Sequence, residues 1–70
     1  MEFTEKAKIR IAHWLKHTAD HLQEYERFAE ELEDTGNLES ARHIREMATL
    51  TARTSDCLDG ALTALNKYGS

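Results

Sequence analysis

Apolar positions recur every three or four residues along two long stretches of the chain, which is the period of an amphipathic helix. In the first stretch they form two heptad rows, Ile11, Thr18, Tyr25 and Leu32 beside Leu15, Leu22 and Ala29. In the second stretch the rows are Ile44, Thr51, Leu58 and Leu65 beside Ala48, Ser55 and Leu62. Each stretch therefore predicts one long helix.

The segment EDTGNLES is the one strong break between the two stretches, and the chain has no proline. Gly36 suits the left-handed position that follows a helix, and Asn37 is a natural N-cap for the next helix. Thr4 is placed to cap the first helix. The predicted organisation is a single helical-hairpin domain over 1–70, with helix 1 at about 4–35, the turn at about 35–37 and helix 2 at about 38–67.

The two predicted helices match each other when the chain is folded antiparallel about Gly36. Large side chains then oppose small ones and apolar ones oppose apolar ones, as interdigitating helices require. The facing pairs are Ile11 with Leu62, Leu15 with Leu58, Thr18 with Ser55, Tyr25 with Ala48, and Ala29 with Ile44. The acidic segment 20–35 also comes to lie beside the basic start of helix 2. We therefore predict an all-α fold, an antiparallel two-helix hairpin.

The remaining positions fall on two flanks of the hairpin, because successive residues turn by about 100° around a helix. The polar flank consists of Lys16, Gln23, Glu26, Glu30 and Glu33 on helix 1 and Arg45, Asp56, Asp59 and Thr63 on helix 2. The apolar flank consists of Trp14, His17, His21, Glu24 and Phe28 on helix 1 and His43, Met47, Leu50, Thr54, Cys57, Ala61 and Tyr68 on helix 2. Matching flanks of an antiparallel pair adjoin, so each flank forms one surface.

The apolar flank predicts a partner, because soluble monomers rarely expose a large contiguous apolar patch. A lone hairpin would leave Trp14, Phe28, Met47 and Leu50 uncovered. We expect a homodimer through these residues, in which two hairpins form a four-helix bundle. The alternatives are a monomer whose aromatic side chains lie along its surface, and burial against a different protein.

Length and charge narrow the class of protein further. A chain of 70 residues buries a core worth roughly 3–5 kcal/mol, so a small domain of this kind tends to need a second copy, a metal or disulfides. The one cysteine, Cys57, has no partner in the chain, which favours a reducing compartment. No apolar run is long enough to span a bilayer, and the N-terminal segment lacks the apolar block of a signal peptide. The net charge of −4 disfavours binding to nucleic acid. We expect a cytoplasmic protein without membrane or nucleic-acid partners.

Three of the four histidines, His13, His17 and His21, are spaced by four residues. Two histidines at this spacing can ligate one ion, but the outer two lie about 12 Å apart along a helix and cannot. The candidate pairs are therefore His13 with His17, or His17 with His21. We predict a site with His17 and His21 as its core, Cys57 as the third ligand because the hairpin register sets it level with His17, and Glu24 or a second copy completing it. Imidazole suits nickel, copper and zinc alike.

Two functions remain open from the residues alone. The first is a transition-metal-binding or metal-handling protein that uses the histidine-rich face of helix 1. The second is a structural or protein-interaction hairpin, in which the histidines belong to a polar packing layer that sets the register. An enzyme is not expected, because no histidine has a glutamate three residues before it as di-iron bundles require, and no glycine-rich phosphate loop is present.

The segments HWLKHTADHLQEYERFAEEL and ARHIREMATLTARTSDCLDGALTAL resemble a family of small, uncharacterised bacterial and archaeal helical hairpins. In that family an HWxxHxxxH signature and a Glu-aromatic-x-x-Trp/Phe-Ala-Glu run mark helix 1. A Leu-x-x-Ala-Leu-x-x-Leu run ends helix 2 and is matched here by Leu58, Ala61, Leu62 and Leu65. Such hairpins are found alone or attached to small nickel-binding proteins of the carbon monoxide dehydrogenase accessory type.

The resemblance implies a link to nickel or another transition metal. The positions that carry over as the family signature are His13, Trp14, His17 and His21. The sequence departs from the family at Thr18, where the family usually has asparagine, and at Cys57, where a thiol is not expected. Thiolate ligation would therefore be a property of this protein and not of the family.

Overall fold

The computed structural model describes residues 2–69, which form two helices packed as an antiparallel hairpin. Helix α1 spans Phe3–Asp34 and helix α2 spans Leu38–Tyr68. No strand occurs in this part of the chain. The hairpin measures 52 × 17 × 11 Å over its Cα atoms. The predicted all-α hairpin is confirmed, and each helix begins and ends within one residue of its predicted bounds.

The seam between α1 and α2 follows the predicted heptad rows. Every position in those rows is buried or half-buried, from Ile11 to Leu32 on α1 and from Ile44 to Leu65 on α2. Three small side chains, Ala29, Ala41 and Ala48, are the buried apolar ones among residues 2–69. The large side chains of the seam remain partly exposed, because two helices alone cannot surround them.

The register of the hairpin matches the predicted pairing from the middle to the open end. Leu22 and Glu26 on α1 line one groove together with Ala48 and Ala52 on α2. At the open end, a Cβ atom built at Gly69 would lie 3.0 Å from the Thr4 methyl group. The two helices therefore stay aligned over the whole of their length.

The turn between the helices is closed by backbone hydrogen bonds of the Schellman type. The Asn37 N–H donates to the Leu32 carbonyl at 2.8 Å, and the Gly36 N–H donates to the Glu33 carbonyl at 3.0 Å. Gly36 adopts a positive φ of 82°, which a side chain would disfavour. Asn37 occupies the N-cap position of α2 as predicted, but its side chain donates to the Thr35 hydroxyl at 2.9 Å instead of capping the helix.

The predicted cap at Thr4 is wrong. Helix α1 begins one residue earlier, at Phe3, and Glu2 occupies the N-cap position without a side-chain hydrogen bond to the helix. Thr4 lies one heptad before Ile11 and is half-buried against the end of α2. Its side chain is therefore turned into the seam, where it packs instead of capping.

Candidate functional site on the apolar flank

The polar flank is joined across the two helices by a bidentate ion pair. Arg45 donates to the two carboxylate oxygens of Glu33, from Nη2 at 2.7 Å and from Nε at 2.9 Å. These hydrogen bonds lower the pKa of the Glu33 carboxyl and raise the pKa of the Arg45 guanidinium. The pair is exposed, so it fixes the register of the helices more than it adds to stability.

The apolar flank carries most of the large apolar side chains that the hairpin leaves uncovered. Trp14, Phe28 and Leu50 are each about half exposed, at 49%, 50% and 54%. Met47 and Tyr68 are also exposed on this flank, and Phe3 joins it because it lies two heptads before His17. Only two others of comparable size, Ile9 and Leu38, are exposed elsewhere in the described residues.

The histidines of α1 form a ladder of rings that starts at His13, on the outer side of the helix, and continues along the apolar flank. The ring centroids of His13 and His17 lie 4.4 Å apart, and those of His17 and His21 lie 6.3 Å apart. Tyr25 extends the ladder, with its ring 6.0 Å from that of His21. His17 therefore neighbours a second imidazole on either side, which is the condition for a two-histidine site on one helix.

The predicted metal ligands do not all come together within one chain. His13, His17, His21, Glu24 and Cys57 are all exposed. Between Glu2 and Gly69, no three side chains of the His, Cys, Asp and Glu types are grouped so that they could hold an ion. The histidines adjoin one another and the Cys57 thiol does not complete a set with them, so the predicted ligand set stays a prediction.

Residues 7–65 match the family model described as a domain of unknown function, DUF8180. The chain belongs to this family. The expected membership of an uncharacterised family is thereby confirmed, whereas the match by itself gives neither a histidine signature nor an association with nickel proteins. No curated protein and no solved structure matches the chain.

This DUF8180 domain also has a pocket at the open end of the hairpin that the sequence reasoning missed. Phe3, Ala7 and Trp14 form its apolar walls, and Lys6 and Arg10 lie at its edge. The heptad positions could have revealed it, because Phe3 is in the same row as Arg10 and His17. Neither helix of the domain, over the residues described, combines the length and the apolar character that a membrane span requires.

Proposed function

We propose that the protein is an interaction hairpin that pairs with a second copy of itself through the apolar flank and forms a four-helix bundle. The observation that carries this proposal is the exposure of Trp14, Phe28 and Leu50, which are about half uncovered on one surface. Side chains of this kind form the centre of stable protein interfaces, where aromatic residues and methionine are enriched. A second hairpin laid on this flank would bury them.

The surface area of the hairpin agrees with a missing partner. Its accessible surface is 5323 Å² for a mass of 8.0 kDa. A compact monomer of that mass exposes about 4,450 Å², so the hairpin exposes roughly 900 Å² more. An interface of standard size buries about 800 Å² on each partner. The radius of gyration of 15.9 Å likewise exceeds the roughly 11 Å of a compact chain of this length.

The small core gives an independent reason for a partner. The buried apolar side chains of residues 2–69 are three alanines. Burying a leucine or phenylalanine completely contributes about 1.5–3 kcal/mol, and an alanine contributes much less. Because the leucines of the seam remain partly exposed, a second hairpin would add to their burial. Folding and pairing would then stabilise each other.

A second copy fits this flank better than an unrelated protein, because the charges along its edges are complementary to each other. The α1 edge of the flank is basic near the open end, with Lys6 and Arg10. Nearer the turn the same edge is acidic, with Glu24 and Glu31 beside Arg27. An antiparallel two-fold dimer lays the basic part of this edge in one copy on the acidic part in the other. Such an isologous pairing requires a self-complementary surface.

The test is to place a charge in the centre of the proposed interface. Leu50→Glu should weaken self-association by at least about 100-fold, because a buried unpaired carboxylate costs several kcal/mol. Thr63→Glu is the matched control, since Thr63 is exposed on the polar flank of the same helix. Sedimentation equilibrium of the unmodified chain and of the control should give twice the chain mass of 8.0 kDa, and Leu50→Glu should give the mass of one chain. An unmodified chain that is monomeric at tens of micromolar contradicts the proposal.

A second function is supported by the histidine ladder. We propose that the hairpin binds a transition-metal ion, nickel, copper or zinc, through imidazoles of α1. The 4.4 Å and 6.3 Å spacings of the rings support this, since His17 has an imidazole neighbour on either side. The resemblance to hairpins that accompany nickel-binding accessory proteins points to the same chemistry. Copper should bind most tightly in vitro whatever the biological metal is.

Metal binding can be tested on protein purified without a histidine tag. The three ions are titrated into the unmodified chain, the His17→Ala, His21→Ala double variant and the Cys57→Ser variant. We expect binding by the unmodified chain that the double variant loses. Affinity should fall between about pH 7 and pH 5.5, because an imidazole must be deprotonated to ligate. Binding that survives in the double variant, or no binding by the unmodified chain, contradicts this function, and loss in Cys57→Ser would assign the thiol as a ligand.

A further inference from the structure

The apolar flank has a polar centre. Its large apolar side chains fall into a group near the turn, formed by Phe28, Met47 and Leu50, and a group near the open end, formed by Phe3, Trp14 and Tyr68. Between these groups the flank carries His17 and His21 on α1 and Thr54 and Cys57 on α2. The histidines therefore lie in the middle of the surface that the second copy is proposed to cover.

The middle of the flank is also the middle of the hairpin. Helix α1 runs from Phe3 to Asp34, so its midpoint lies between Thr18 and Ala19, within about one turn of His17 and His21. If the two-fold axis of the dimer crosses the hairpin at this midpoint, the two antiparallel copies lie against each other over their full length. The group near the turn of one copy then packs on the group near the open end of the other, and His17 of each copy comes level with His21 of the other.

We propose that the antiparallel dimer binds one transition-metal ion on its two-fold axis, ligated by His17 and His21 of both copies. This inference rests on the proposed self-association. Four neutral imidazoles form a donor set that suits tetrahedral zinc and the neighbouring ions nickel and copper. One chain contributes only two of these donors, in agreement with the absence of any three-donor group between Glu2 and Gly69. The site is complete only in the dimer.

His13 is separated from this site by its place on the helix. His13 lies on the outer side of α1, almost opposite the seam, so it would face solvent in the bundle. Its ring nevertheless lies closer to His17 than that of His21 does, at 4.4 Å against 6.3 Å. Exposed rings change rotamer within nanoseconds, so the dimer selects the pair that faces the axis. His13→Ala is therefore the discriminating control.

The test is to titrate zinc chloride and nickel chloride into the tag-free chain and into the single variants His17→Ala, His21→Ala and His13→Ala. Native mass spectrometry and calorimetry should give one ion for every two chains. His17→Ala and His21→Ala should each weaken metal binding by more than about 100-fold. Loss of a group that only hydrogen-bonds to a metal ligand already weakens binding by roughly 10–100-fold. His13→Ala should leave both the affinity and the stoichiometry unchanged.

The outcomes separate this inference from the self-association on which it rests. A chain that stays monomeric with and without metal overturns both. A metal-free dimer that binds no ion, that binds one ion per chain, or that loses binding in His13→Ala overturns the shared site and leaves the dimer intact. One ion per dimer, lost in both His17→Ala and His21→Ala, supports the shared site.

Discussion

The two flanks of this hairpin are built on the same backbone, yet they meet solvent in different ways. On the polar flank, Glu33 and Arg45 join α1 to α2 with two hydrogen bonds and leave charged groups in water. On the apolar flank, Trp14 and Phe28 remain half exposed. In the described part of the chain, one ion pair connects α1 with α2, and it lies on the polar flank.

The difference between the flanks indicates what each contributes. A charged surface can remain in water and still set the register through one bidentate pair, at little gain in stability. An aromatic surface gains free energy only when it is removed from water. The polar flank is therefore complete within a single chain, whereas we propose that the apolar flank is completed by a second copy.

The largest expected effect is on the distance between two spin labels, which reports whether the two copies of the proposed dimer run antiparallel or parallel. In a Cys57→Ser background, Asn66→Cys places one spin label on an exposed position near the open end. An antiparallel dimer sets the two labels about 35 Å apart along the bundle, because α1 rises about 1.5 Å per residue on either side of the axis. Pulsed electron spin resonance measures this distance. Labels within about 20 Å, a bundle width, would indicate a parallel dimer and contradict the charge argument.

Substitutions at two glycines should change the free energy of unfolding by about 1 kcal/mol and leave the association of the hairpins unchanged. Gly60 lies inside α2 on its outer surface with nothing within 4 Å of a Cβ atom, so Gly60→Ala should stabilise the protein by up to about 1 kcal/mol. Gly36→Ala should destabilise it by about 1–2 kcal/mol, because an alanine resists the positive φ of 82°.

Urea denaturation of these two variants, at several protein concentrations, checks the prediction. Both changes should shift the midpoint and leave the dissociation constant of the folded dimer unchanged, since neither glycine lies on a flank that meets the other copy. Equal effects of the two substitutions would mean that the turn is not held in the left-handed conformation.

The smallest expected effect is on the polar flank. Because the hydrogen bonds from Arg45 lower the pKa of Glu33, the ion pair stabilises the fold above the ordinary glutamate value of 4.5 and loses this contribution as the pH falls through the lowered pKa. Glu33→Gln should therefore lower Tm by no more than a few degrees at neutral pH, and the difference should vanish in acid. Thermal unfolding from pH 7 to pH 2 measures it. Glu30→Gln on the same flank is the control, and an equal effect there would show that the ion pair contributes nothing specific.

The hairpin and its register could be predicted because periodicity reports burial within the chain directly. Each heptad position from Ile11 to Leu65 that was assigned to the seam is covered by the facing helix. The left-handed conformation of Gly36 followed for the same kind of local reason, since a glycine at that place in a helical sequence relieves a steric conflict. Thr4 was misjudged because two physical demands compete there, and packing against α2 outweighs capping.

The ligands of the candidate site could not be resolved in the same way. Helical spacing places His13, His17 and His21 in a ladder but does not choose rotamers, and the closest pair of rings includes His13, which lies outside the apolar flank. The register predicts the position of Cys57 along the length of the hairpin. The exposure of its thiol depends on the distance of the side chain from the seam, which the register does not give. The proposed covering of the flank depends on a second molecule, about which the periodicity of one chain carries no information.

The turn at Gly36 has a consequence for how the protein folds. Contacts beside the turn close short loops, and each contact farther along the hairpin closes a longer one at a greater cost in chain entropy. The Asn37 and Gly36 hydrogen bonds hold the first of these loops shut, so the helices should zip together from the turn outwards. The histidine level then closes midway, and the open end beside Thr4 and Gly69 closes last. The end of the hairpin that closes latest is thus the end that a second copy would hold shut.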